Sequence, residues 1–372
     1  MTHGFSGAVS AASFLTLLAL TLAGCSQSSP RTATSTSPAA AGSSRSASGG
    51  ASAGPAGSNP AGSNATAAAV SCHPSGSSVK VSVASGSALK NALSHAQPGE
   101  EIALAPGTYV GNFTASHSGT ATAPITLCGS RGAVLNGGDI SHGYTLYLDH
   151  VSWWRVEGFT VEGGQKGVVA DGSDNDLIDG LYVHSTGDEG IHLRAFSSHD
   201  TVSHCLVRDT GRKSQFFGEG IYVGSAHKNW CRYSHCQPDA SNDDIIADNN
   251  IAGSTAENVD IKEGTTGGQI TGNTFNGAGM VDSAATAWVN VKGNDWTITG
   301  NTGIDSSKDG FQVHQVYPGW GTGNTFRGNT AQVNGPGDGF YVQNKRLQTV
   351  VSCDNEVRNA GRGFSTIACR PA

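Results

Sequence analysis

Charge is scarce in this chain of 372 residues. Asp, Glu, Lys and Arg make up 14% of it, too little for the laced surfaces of a coiled coil or helical bundle. No run of Lys or Arg occurs, and the net charge is -7. The basic stripe that neutralises a phosphate backbone is therefore missing, and no nucleic-acid partner is expected. Apolar runs are missing too, apart from residues 11–24, which are shorter than a bilayer span requires. Residues 26–71 are almost entirely Ser, Ala, Gly, Thr, Pro and Asn, with two Arg. They have no apolar period and cannot bury a core. What the chain does have is glycine, 52 residues of it. Its second half adds Asn, Thr, Ser and Val, which suits many short strands joined by turns.

The apolar run ends in Leu22-Ala23-Gly24-Cys25. This resembles a bacterial lipoprotein signal, which implies cleavage after residue 24 and a lipid on Cys25. Such chains hold a protein at a membrane surface without spanning it. The expected organisation is a signal peptide over 1–24, a lipidated Cys25 with a tether to 71, and one folded domain over 72–372. The expected location is the cell surface, with plain secretion as the alternative. An exported chain favours disulfides. We pair Cys72 with Cys128, Cys231 with Cys236 and Cys353 with Cys369, although spacing does not fix the connectivity. Cys205 is left as a buried thiol.

The folded part opens on Ser87-Ala-Leu-Lys-Asn-Ala-Leu-Ser-His95, whose Ala88, Leu89, Ala92 and Leu93 fall on one helical face. Short strands broken by Gly or Pro follow. From Val156 a repeat appears. One series contains Ile178-Asp-Gly-Leu-Tyr-Val, Ile270-Thr-Gly-Asn-Thr-Phe and Ile298-Thr-Gly-Asn-Thr-Gly. A second lies between its members: Gly190-Ile-His-Leu, Gly220-Ile-Tyr-Val, Asn258-Val-Asp-Ile, Trp288-Val-Asn-Val, Gly310-Phe-Gln-Val and Gly339-Phe-Tyr-Val. Its starts lie 22 to 38 residues apart. Such periods signal a solenoid with insertions in loops. The Gly-Asn-Thr repeats at 272, 300 and 328 suit an Asn ladder, with Asn in left-handed turns. The fold class is all-β, a parallel β-helix with a short N-terminal capping helix and, as expected, a monomer.

Stacking the second series gives columns. Alternate residues face opposite ways in a strand. Val259 and Ile261 point inward, and His192, Tyr222, Asp260, Asn290, Gln312 and Tyr341 line up outward. Two residues on come Arg194, Lys262, Lys292 and His314. Three residues before the outward column, just ahead of the strands, come Glu189, Glu219 and Glu257. Acids stand at one end of each strand and bases at the other, an arrangement that suits an acidic polysaccharide. Trp288 and Trp320 are expected near the same face, as sugar contacts.

Leu89-Lys-Asn-Ala-Leu, Ala96-Gln-Pro-Gly-Glu and Ala133-Val-Leu-Asn-Gly137 resemble the first coils of right-handed parallel β-helix proteins of the pectate lyase superfamily. Within it, the chain resembles in part the chondroitinase B and alginate lyase family. That family has a Glu metal ligand five positions before a Lys base, as Glu257 and Lys262 stand. The resemblance implies a Ca²⁺-assisted lyase acting on uronates by β-elimination. Lys262 is then the base, and Glu219, Glu257 and Asp260 hold Ca²⁺. Lys292, His314 or Arg194 serves as the acid, and His192, Tyr222, Trp288, Asn290, Gln312 and Tyr341 bind substrate. The alternatives are a carbohydrate-binding or surface-adhesion β-helix without catalysis, and a glycoside hydrolase.

Overall fold

The structure is a computed structural model that describes Cys72 and residues 79–371. The signal segment, Cys25 and the tether lie outside the described residues. Among the described residues, three parallel sheets of eleven, ten and ten strands run the length of the domain. Each coil gives one strand to each sheet. Leu177–Asp179, Tyr182–His184 and Ile191–Arg194 make one such coil, and each pairs in parallel with its counterparts in the neighbouring coils. A member of the first sequence series is therefore two strands and the corner between them. The second series supplies the third sheet.

The corners explain the composition. Gly272, Gly300 and Gly328 have φ of 66°, 66° and 59°, so the left-handed turn falls on Gly rather than on the following Asn. The Asn side chain turns inward instead. Asn249, Asn273, Asn301, Asn329 and Asn355 form a buried ladder in which each Oδ1 accepts the backbone N–H of the preceding coil. Each interior Nδ2 donates to the next Oδ1, as Asn273 does to Asn301 at 2.9 Å. Polar corners are thus satisfied without water. Cys205 takes the next place in this column, fully buried, and burial pushes its thiol up to about 12.

The core is a column of stacked Ile, Val, Leu and Phe, each burial contributing about 1.5–3 kcal/mol. Val259, Ile261, Val289, Val291, Phe311 and Phe340 are fully buried within it. Helix Gly86–Ser94 covers the first coils with Leu89 and Leu93, and Ser85 caps it by accepting Ala88 N–H at 3.2 Å. The disulfides are Cys72–Cys128, Cys231–Cys236 and Cys353–Cys369. No helix among the described residues is long and apolar enough to cross a membrane.

Candidate active site

The third sheet carries the outward column in the expected register: His192 pairs with Tyr222, Tyr222 with Asp260, Asp260 with Asn290, Asn290 with Gln312, and Gln312 with Tyr341. A cavity of about 560 Å³ lies over the first part of this column. Its floor holds Glu189, His192, Glu219, Tyr222, Glu257, Asp260, Lys262 and Lys292. Asn290, Gln312, His314 and Tyr341 do not line it.

Asp260 is the hub. It is 1% exposed, and one oxygen accepts the Lys262 ammonium at 2.6 Å while the other accepts Lys292. Burial would raise the Asp260 carboxyl, but the two ammonium groups hold it below its ordinary range. Burial would likewise depress Lys262, yet Asp260, Tyr222, Glu219 and Glu257 together hold it well above the usual lysine value. The Lys262 Nζ sits 4.9 Å from the centre of the Tyr222 ring. Burial pushes the Tyr222 phenol well up, so it keeps its proton. Glu219 is raised well above a normal carboxyl by burial and by Glu189, Glu257 and Asp260, and its Oε2 has no hydrogen-bond partner.

A second group sits beside the first. Lys166 pairs with Glu189 and lies 3.3 Å from His192 Nδ1. His192 Nε2 is 2.9 Å from the Gly224 carbonyl. Gly224 has φ of 78° where other coils carry a long side chain, and a Cβ there would lie 2.6 Å from Thr265. Burial and Lys166 lower His192 to about 4, so it is a neutral, positioned imidazole. Arg194 is spent on structure. It forms a bidentate pair with Asp171, donates to the Tyr144 hydroxyl at 2.9 Å and stacks 4.0 Å over Tyr233. His314 bonds Asn290 at 2.9 Å and is lowered to about 4 by burial and Lys292.

Trp288 departs from the sugar-contact expectation. It is fully buried and donates Nε1–H to Ile304 O at 3.1 Å. It occupies the inner corner that is Gly in most coils, and Gly303 and Gly310 leave room for its ring. The Gly before each Ile or Phe of the second series was the available signal that this position faces inward. Trp320 also does not line the cavity.

The walls were not anticipated. Phe216 and Phe217 rise on one side, each 53% exposed. Lys228, Arg232 and Tyr233 rise on the other, from an excursion closed by Cys231–Cys236. Both lie in irregular segments with no repeat to align. For Lys228, Arg232 and Tyr233 the signal available was the 38-residue gap between Gly220 and Asn258, the longest in the series, whereas Phe216 and Phe217 fall in the 30-residue gap before Gly220.

Glu219, Glu257 and Asp260 do converge, with one oxygen of each within 4.8 Å of the others. Ca²⁺ takes six to eight oxygens. Here both Asp260 oxygens hold ammonium groups, and Glu257 Oε1 accepts Asn290 Nδ2 at 2.9 Å. The donor set as built is matched to lysines and does not fit Ca²⁺.

A family model described as "Right handed beta helix region" matches residues 239–368. No curated protein matches the chain. Among solved structures, the chain is similar to an alginate lyase from Paenibacillus sp. str. FPU-7, with 34% identity and a TM-score of 0.72, over 78% of this chain and 99% of that one. It shares its fold with pectate lyase Pel9A, at 17% identity and a TM-score of 0.55, over 80% of this chain and 82% of that one. The enzymatically active domain of tailspike protein 2 of bacteriophage CBA120 is similar at 12% identity and a TM-score of 0.50, over 73% of this chain and 40% of that one. Read with the coil register and the three parallel sheets, these likenesses mean that the chain belongs to the family of right-handed parallel β-helix proteins that includes the Paenibacillus alginate lyase.

Proposed function

We propose that this protein is a polysaccharide lyase that breaks a uronate polymer by β-elimination in the cavity over Lys262. The observation that carries this reading is Asp260 holding two ammonium groups beside a protonated tyrosine, in a chain 34% identical to an alginate lyase.

β-Elimination needs three things: relief of the uronate carboxylate's charge, a base for the proton on C5, and an acid for the leaving oxygen on C4. Lys292 supplies the positive charge, and the neutral carboxyl of Glu219 supplies a hydrogen-bond donor to the same carboxylate. Lys262 is the base. Asp260 needs only one cation, so Lys262 can give up its proton while the Asp260–Lys292 pair stays balanced. Lys262 takes the C5 proton, the electron pair forms the C4–C5 double bond, and the C4–O bond breaks. Tyr222 protonates the departing oxygen and regains its proton from Lys262. No water is consumed. His192 and Lys166 hold the floor in place.

Alginate is the first substrate to try, and polygalacturonate and glycosaminoglycans complete the panel. The expected result is ultraviolet absorbance from the new conjugated double bond, undiminished in excess chelator. Binding without cleavage favours the adhesion reading, and reducing ends without the double bond favour a hydrolase. Loss of activity in chelator, restored by Ca²⁺, returns Glu219, Glu257 and Asp260 to the metal. Three disulfides suit an exported protein. Attachment through Cys25 is part of this proposal, and Cys25→Ala is expected to move the protein from the membrane fraction to the medium.

A further inference from the structure

Six cationic side chains line the cavity: Lys166, Arg194, Lys228, Arg232, Lys262 and Lys292. Four are already matched, Lys166 by Glu189, Arg194 by Asp171, and Lys262 and Lys292 by Asp260. Lys228 and Arg232 differ. Neither has an ion pair among the described residues, whose salt bridges all involve other cations. They stand four residues apart on the excursion that follows strand Ile221–Val223, over the short turns His227–Asn229 and Trp230–Tyr233. The Arg232 guanidinium lies 4.9 Å from the Tyr233 ring centre.

The excursion is held firmly. Trp230 Nε1–H donates to Ser225 O at 3.0 Å, and Ser225 donates to Asp239 at 2.7 Å. Asp239 is fully buried and also accepts the N–H groups of Ala195 and Phe196. Cys231–Cys236 closes the loop. Across the cavity stand Phe216 and Phe217, apolar and half exposed. One wall thus offers unmatched positive charge and the other apolar rings. A uronate unit has a carboxylate on one edge and an apolar ring face, so a polyuronate chain can satisfy both walls at once.

We propose that Lys228 and Arg232 are specificity-determining residues that bind the carboxylates of the uronates flanking the reacting one, and that the Cys231–Cys236 crosslink keeps them on the cavity wall. This rests on the polyuronate reading above. The two residues act on binding, and Lys262 and Tyr222 carry the chemistry.

The test uses the full chain with Lys228→Gln and Arg232→Gln, singly and together. Each single change is expected to raise KM for sodium alginate, or for whichever polyuronate is cleaved, about tenfold. kcat should hold, and the dependence of kcat/KM on ionic strength should flatten. C231S/C236S is expected to raise KM in the same way. A separate arm measures binding of alginate and polygalacturonate oligomers by calorimetry in the Lys262→Ala background, so it does not depend on catalysis. Weaker oligomer binding in the double Gln variant supports the proposal even where no polymer is cleaved. Unchanged affinity and unchanged salt dependence in that variant would overturn it, as would equal losses for a neutral glucan and the polyuronates.

Discussion

Asp260 holds two ammonium groups where one would balance it. This fixes the expected pH dependence. Lys262 works as a base only after losing its proton, and its surroundings hold that proton well above the usual lysine range. Activity is therefore expected to climb as pH rises into the alkaline range. Asp260→Asn removes the first of the charges that hold the proton, so the rising limb of kcat/KM against pH should move to lower pH. A limb that stays in place in that variant removes Lys262 from the base role. Which residues lie in the outward column was legible in the alternation of Val259-Asp-Ile-Lys262. What each is free to do was not. Arg194 and His314 looked like donors, but Arg194 is tied to Asp171 and His314 is a neutral imidazole on Asn290. Those partners come from other coils, 23 and 24 residues away, and one strand read alone does not reveal them.

At the scale of the coil corner, two ladders run through the fold and only one was visible. Gly-Asn-Thr announces the Asn ladder by recurring. The other is built from Asp176, Asp200 and Asp244, which sit in unlike sequences and read as ordinary turn residues. They are buried, Asp176 N–H donates to Asp200, and Asp200 N–H donates to Asp244. The Oδ2 of each has no partner. A proton there makes each carboxyl the equivalent of an Asn amide, able to donate onward as Asn273 does. Asp174, His199, Asp239 and Asp243 are the charged groups facing the ladder. Burial raises all three carboxyls, Asp200 to about 7 and Asp176 to about 9. A carboxyl raised on folding gives stability that is full below its unfolded value, 3.8, and is lost as pH rises through the folded value. The melting temperature should therefore fall between about pH 4 and about pH 9. Asp200→Asn should flatten the part of that fall up to about pH 7, as read by thermal unfolding across pH. An unchanged slope would mean that Asp200 is ionised in the fold.

For the whole molecule, the architecture was legible because a solenoid writes itself repeatedly. Apolar positions, glycine corners and parallel register recur in coil after coil, and each recurrence checks the last. The site is less repetitive than the scaffold. Phe216, Phe217, Lys228 and Arg232 come from segments that have no counterpart in neighbouring coils, and alignment of coils passes over them. The scaffold thus sets the floor, where Lys262, Asp260 and Tyr222 meet, and the irregular loops set the walls. The central claim concerns the floor. It is tested most directly by the initial rate of double-bond formation on alginate at alkaline pH, for the full chain and for Lys262→Ala. We expect the rate to fall at least about a hundredfold with the melting curve still cooperative. A folded Lys262→Ala protein that cleaves at the original rate would contradict the account.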